Sequence, residues 1–377
     1  MSTDKDLNQK LRIMRFWWYN GYFTRMNVDI FRYEHGQKTS HQYTDIDVFG
    51  IKFQENFMHN INICDCKSGQ ISNKDRIFWT SGLMNYIGAN QAIFLAKNID
   101  ESKYYDLGKN LNVIPLSNKR LSELEKTYKL DSKPIIGPFN YDNILLEEKI
   151  FEHLKTNLKE VYDYLKTIYW VESPNKQISS LMTCLKDIES IIFVNNNEKI
   201  FLLIYCLSLF SISLLKFSEP LLIFPNDKKE YYIQESLLGG EIESSKMKEL
   251  FSSFYKFMIA EIKIRYKKLY PMSERDFIGF LYSQHNKYTI DLIERISLNP
   301  VDAIQIPRFL DIIAYESVLN GKNDNINEKM FSYNHLFDIS NVCKLTKDLF
   351  TFAERSELIS PDSFDEIINY TNSFKIK

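Results

Sequence analysis

Glycine and proline are scarce in this chain, at 12 and 10 of 377 residues. Long Pro/Gly-rich or low-complexity segments are therefore excluded as a major part of it. Cysteine is limited to Cys64, Cys66, Cys184, Cys206 and Cys343. The number is odd and the positions are dispersed, which excludes a disulfide framework. A reducing, cytoplasmic setting is expected, with Cys64 and Cys66 as strand cysteines and not as half of a zinc site. Neither charge sign is in excess: 47 Lys and Arg stand against 49 Asp and Glu, a net charge of −2. No global basic field advertises a polyanionic partner, although the first 130 residues lean basic and the remainder leans acidic. Met1-Ser2-Thr3-Asp4-Lys5-Asp6 leads into no apolar segment, so a targeting signal is not expected. No fixed-period repeat is evident, which argues against a solenoid.

Aromatic side chains are plentiful: 27 Phe and 23 Tyr contribute to a 14% aromatic content that can fill a large core. Residues 200–215 carry no charge. As a helix they span about 24 Å, short of the roughly 30 Å hydrocarbon layer. They read as a wholly buried helix in preference to a membrane span or a subunit-interface helix.

Taken in order, residues 5–24 have helical spacing, with Leu7, Leu11, Met14, Trp17 and Trp18 recurring at three and four and Asn20-Gly21 marking the end. Residues 22–23 and 28–31 read as a strand or strand pair, and 34–40 as a polar turn. Two short apolar runs follow at about 45–53 and 60–67. A helix is expected over 75–87, strands at 91–96 and 113–116, and a helix from about Lys119 capped by Ser117-Asn118. Residues 131–143, holding Pro134, Gly137 and Pro138, read as a boundary. Beyond it the spacing predicts helices at about 142–170, 174–194, 198–216, 244–269, 273–297, 301–320, 340–355 and 361–374, with Tyr231-Tyr232-Ile233 as a short strand.

The two apolar runs carry charge where buried strands should not. The first holds Asp45 and Asp47, the second Asp65 and Lys67. Residues i and i+2 of a strand face one side, so if the strands pair as a hairpin these four side chains crowd together. Such groups neutralise one another or hold a metal. Mg²⁺ suits, because it takes hard oxygen ligands and usually keeps water and substrate phosphate in its shell.

Asp47, followed on the next strand by Asp65-Cys66-Lys67, resembles the PD-(D/E)XK nuclease superfamily. Thr44-Asp45-Ile46-Asp47-Val48-Phe49-Gly50 and Ile63-Cys64-Asp65-Cys66-Lys67-Ser68 look like the two motif segments of its restriction-endonuclease and Holliday-junction-resolvase branch. The leading helix ending Asn20-Gly21-Tyr22, and the helix and strand through Gly88-Ala89-Asn90-Gln91, fit the same order. The resemblance covers about residues 8–130. It implies an α/β restriction-endonuclease-like core, a mixed sheet of four or five strands flanked by helices, in residues 1–133. A mostly α-helical domain of recognition or assembly follows in 140–377. By the same resemblance Asp47 and Asp65 are metal ligands, the Cys66 carbonyl is a further ligand, and Lys67 is the catalytic lysine. The cofactor is Mg²⁺, with Mn²⁺ able to substitute. The sequence departs from the pattern in three ways: Ile46 replaces the proline, the second acid is Asp, and residues 1–24 contain no Glu. Asp45 is either a helper ligand or a strand-edge charge. Gln70, Lys74 and Arg76 either meet nucleic-acid phosphates or form a solvated loop.

The expected activity is Mg²⁺-dependent hydrolysis of DNA phosphodiester bonds, as an endonuclease of anti-phage or anti-plasmid defence. Partners would be DNA, a second copy of the chain, and a defence protein bound through the helical domain. The alternatives are a catalytically inactive interaction protein of the same fold, or a nuclease acting on RNA. An ion-pair network on an exposed strand face would explain the charges without any site.

Overall fold

A computed structural model describes residues 4–34, 37–69, 72–193, 195–225, 228–229, 232–233, 236, 244–265, 284–321 and 337–373. The N-terminal part holds a five-stranded mixed sheet flanked by helices, and the remainder is mostly helical. Helix α1 (Asp4–Tyr19) leads into β1 (Phe23–Glu34), β2 (Gln37–Phe53) and β3 (His59–Lys67). Helix α2 (Asn73–Ile87) then returns the chain to β4 (Gln91–Ala96), and α3 (Glu101–Asn110) to β5 (Val113–Ser117); α4 is Asn118–Thr127. Strands β1, β2 and β3 form an antiparallel meander, whereas β4 and β5 add in parallel. The two parallel joins need the crossovers that α2 and α3 provide.

Local chemistry sets these boundaries. The α1 residues Ile13, Met14, Trp17 and Trp18 bury one face at three- and four-residue spacing. Gly21 takes φ +90°, which ends the helix and turns the chain into β1. The Ser72 hydroxyl accepts from the Asp75 N–H at the start of α2, and Gly88 closes that helix at φ +70°. Asp100 caps α3 in the same way.

Several sequence expectations need correction. Of the two readings of 22–23 and 28–31, a strand or a strand pair, the structure has the single strand β1, with Asn27 at φ +54° within it. The polar turn is short, because β2 already begins at Gln37. Helix α3 was not expected at all. The single helix expected over 142–170 is two, α5 (Tyr141–Asn157) and α6 (Lys159–Lys166), separated at Leu158, whose φ −140° and ψ 66° are not helical. Tyr232 and Ile233 are helical and not strand, and Tyr231 lies outside the described residues. Only the later part of the helix expected over 273–297 is described.

The helical part continues with α7 (Pro174–Ser190), α8 (Asn196–Ser218), α9 (Ser244–Arg265), α10 (Gln284–Leu298), α11 (Pro300–Ala303) and α12 (Ile306–Ile312). The expected 301–320 helix is therefore broken, and it passes into a π-helix at Ile313–Leu319. Helices α13 (Ile339–Arg355) and α14 (Pro361–Ser373) follow. Helix α8 is long and apolar enough to cross a membrane, yet 94% of its most apolar window is buried inside the protein. It packs against α7, α12 and the π-helix. Its buried serine hydroxyls bond back to carbonyls of the preceding turn, as Ser208 does to Tyr205 at 2.8 Å and Ser218 to Leu214 at 2.7 Å.

The helical part and the sheet share one continuous apolar core, from Ile13 in α1 to Ile367 in α14. Charge is also buried between them. Arg25 of β1 makes two hydrogen bonds to Asp311 of α12, at 2.7 and 2.8 Å. Its guanidinium lies 4.0 Å from the Phe23 ring centre and 4.6 Å from that of Tyr205. Arg308 donates to the Trp18 carbonyl at 2.9 Å. Glu316 of the π-helix accepts from the Gly137 N–H and the Asn143 amide.

Candidate functional site

Strands β2 and β3 pair from Val48 with Cys64 to Phe53 with His59. At Asp47 a side chain replaces the backbone partner: its Oδ2 accepts from the Cys66 N–H at 2.7 Å. This exchange fixes the Asp47 carboxylate against β3, at the end of the paired region. A strand residue points its N–H and C=O to the same edge, so the Cys66 carbonyl also faces the Asp47 side.

Lys67, one residue further, brings the two acids together. Its Nζ lies 3.4 Å from Asp47 Oδ2 and 3.2 Å from Asp65 Oδ1. Asp47 and Asp65 are buried, whereas the Lys67 side chain is 32% exposed. The predicted trio Asp47, Asp65 and Lys67 thus converges, with both acids buried and the lysine partly exposed. An exposed strand-face network does not describe it.

Two further cations complete the cluster. Lys10 of α1 reaches Asp47 Oδ1 at 2.7 Å and donates to Asn27 Oδ1, also at 2.7 Å. Arg76, in the first turn of α2, makes a bidentate contact with Asp65 at 2.5 and 2.6 Å. Its guanidinium lies 3.6 Å from the Trp79 ring centre. Arg76 was expected to contact phosphate or solvent; the structure instead commits it to Asp65, because a planar fork on a buried carboxylate satisfies both partners. Lys74 is exposed, and Gln70 lies outside the described residues.

Asp45 does not join the cluster. It is exposed and stands opposite Asp29 on β1, where β2 has already left β3. Lys10 was not foreseen, because nothing in the sequence links position 10 to position 47. The one available signal was its place on the buried stripe of α1, with Ile13, Met14 and Trp17, where a lysine needs a partner.

The electrostatics follow from these contacts. Burial works to raise the Asp47 carboxyl, but Lys10, Lys67 and the Cys66 N–H outweigh it and hold the pKa below the ordinary value. Burial works to lower Lys67, but Asp65 and Asp47 outweigh it and raise its pKa. Lys67 is therefore an ammonium at neutral pH, a donor and a point charge rather than a proton acceptor.

Cys64 and Cys66 lie with sulfurs 3.7 Å apart and both are buried. Burial raises the Cys64 thiol well above its usual range, which makes it a poor metal ligand. Among the described residues no group of three or more His, Cys, Asp or Glu side chains gathers to hold a metal. The donor chemistry at Asp47, Asp65 and the Cys66 carbonyl does fit a hard dication, which takes one or two carboxylates and keeps its other positions for water and substrate. The surrounding charge makes binding an exchange, since two carboxylates already face Lys10, Lys67 and Arg76.

Comparison with protein-family models, with curated proteins and with solved structures finds no match to this chain.

Proposed function

We propose that residues 1–133 form a metal-assisted nuclease of the PD-(D/E)XK type that hydrolyses DNA phosphodiester bonds. The observation that carries this reading is the Lys67 ammonium held between Asp47 and Asp65. The order of elements supports it: a helix, three antiparallel strands, a helix and a parallel strand. So does the left-handed backbone at Asn27, opposite the first acid, since strained residues concentrate at functional sites.

Asp47, Asp65 and the Cys66 carbonyl would hold Mg²⁺ or Mn²⁺, which supplies an activated water and offsets charge on the phosphate. Lys67 keeps its proton and offers it to a non-bridging phosphate oxygen, where negative charge develops. The Cys66 N–H and Lys10 hold Asp47 in one rotamer. Arg76 would add a fork-shaped anion receptor to the site once Asp65 releases it. Residues 140–377 serve recognition or assembly, including a second copy or a partner protein. An active nuclease endangers its host's own genome, so a gated role in cytoplasmic defence against phage or plasmid DNA is the setting that fits.

The same contacts favour a second reading. With Lys10 and Arg76 already neutralising both acids, the fold also suits an inactive scaffold that binds a partner. Cleavage assays separate the readings. The purified chain is incubated with plasmid, linear and single-stranded DNA and with matched RNA, in Mg²⁺ or Mn²⁺ and with the products of neighbouring genes supplied. DNA cleavage is expected, and Asp65→Ala and Lys67→Ala should abolish it while remaining folded. Absence of any cleavage sinks the enzyme reading; cleavage of RNA alone moves the substrate to RNA.

A further inference from the structure

Among the described residues, Lys10 is the one cation of the cluster supplied from outside the β3–α2 unit. Its side chain is 7% exposed, as is that of Asp47. A lysine buried to this depth without a partner would cost several kcal/mol or lose its proton. Here it has two: Asp47 Oδ1 and Asn27 Oδ1, each at 2.7 Å. Asn27 is held at φ +54° in the interior of β1, between Met26, which pairs with Val48, and Val28, which pairs with Ile46. That register sets Asn27 opposite Asp47. Asparagine tolerates this conformation better than most residues, but the strand still carries a local strain of about 1 kcal/mol. The strain is spent on aiming an amide oxygen at the Lys10 ammonium.

The ammonium is thereby fixed on the side of Asp47 that Lys67 and the Cys66 N–H leave open. A divalent ion placed on that side would face a like charge in a site sheltered from water, where screening is weak. The opposite side, shared by Asp47 Oδ2 and Asp65, holds Lys67 and the Cys66 N–H, and it takes one ion only where the Lys67 ammonium gives way.

We propose that Lys10 is a resident counter-cation, a positioning residue that limits the Asp47–Asp65 pair to a single, weakly held divalent ion. This rests on the reading of the pair as a metal site but does not require that the protein cut nucleic acid.

The test is a Mn²⁺ titration of the full chain, followed by calorimetry and by the electron paramagnetic resonance of free Mn²⁺. The wild type should bind at most one ion. Lys10→Gln, which removes the charge and keeps an amide donor, should bind Mn²⁺ at least tenfold more tightly or take a second ion. Lys10→Arg, which keeps the charge, should behave as wild type. Asn27→Gly provides a second route should Lys10→Gln fail to fold. Glycine accepts the positive φ and removes one of the two acceptors, so the ammonium is less firmly fixed beside Asp47 and affinity should rise in the same direction, by less than in Lys10→Gln. Equal Mn²⁺ affinity and stoichiometry across the wild type, the folded neutral variant and Asn27→Gly overturns the proposal, as does a wild type that binds two ions. A wild type that cuts no nucleic acid yet shows the tenfold change keeps this inference and removes the nuclease reading.

Discussion

Arg76 holds both oxygens of the Asp65 carboxylate, and Trp79 lies beneath the guanidinium at 3.6 Å. The contact joins the end of β3 to the first turn of α2, so it fixes where the helix starts as well as where the acid points. Arg76→Ala should lower unfolding free energy by about 2 kcal/mol, the usual scale for losing charge-assisted hydrogen bonds at a buried carboxylate. Arg76→Lys should recover only part, because an ammonium cannot reproduce the fork. Urea denaturation midpoints at constant slope check both.

The pH dependence of stability should carry the mark of Asp47. Its carboxyl sits below the ordinary value near 3.9 in the folded chain. The stabilisation is therefore complete above that value and is lost as pH falls from there through the folded one. Lys67 has the opposite sign: its raised pKa gives stability that is present below about 10.4 and fades as pH rises through the folded value. Unfolding free energy measured from pH 2 to 7 should lose part of its acid limb in Asp47→Asn. An unchanged acid limb in that variant would exclude the assignment.

The Arg25–Asp311 pair should be far costlier to break than to replace. Both side chains are almost wholly buried. Arg25→Met alone should lose about 3–5 kcal/mol, because the Asp311 carboxylate is left without its partner. Adding Asp311→Leu should recover most of that loss. A double-mutant cycle by chemical denaturation gives the coupling directly.

Gly108 in α3 should not accept a side chain. A Cβ there would meet the Val113 carbonyl oxygen at 2.3 Å and Pro115 Cδ at 2.8 Å. The first of these is backbone of β5 and cannot rotate away. Gly108→Ala should cost about 1–3 kcal/mol by forcing helix and strand apart, whereas Gly82→Ala, with open space around it, should not destabilise α2. Thermal melts of the two variants side by side test the contrast.

Much of the architecture was legible because its signals are local. The apolar runs of β2 and β3, the polar break between them, the Gly88 end of α2 and the charge-free stretch of α8 are each visible within a short window, whereas the Ser72 cap shows only in the structure. Helix α3 escaped because its apolar content is Tyr104, Tyr105 and Leu107, and Tyr105 points to solvent. The break at Leu158 and the π-helix at Ile313–Leu319 answer to packing in the finished core, which no short window records. At the site, strand spacing groups Asp45, Asp47, Asp65 and Lys67, and the resemblance singles out the last three; the structure gathers those three and leaves Asp45 aside. Lys10 and Arg76 could not be placed, because their partners are decided by how α1 and α2 lie across the sheet.

The pairing of Arg25 with Asp311 also sets an order of events during synthesis. The two residues are 286 positions apart. At roughly 5–20 residues per second, about 15 to 60 s pass between the emergence of one and the other. Throughout that interval the first strand of the sheet carries a guanidinium aimed inward with no carboxylate to receive it. A fragment cut at the Pro134 boundary would lack the carboxylate that receives Arg25. Fragments ending there should depend on chaperones or aggregate, and the sheet reaches its final packing only when the late helices arrive.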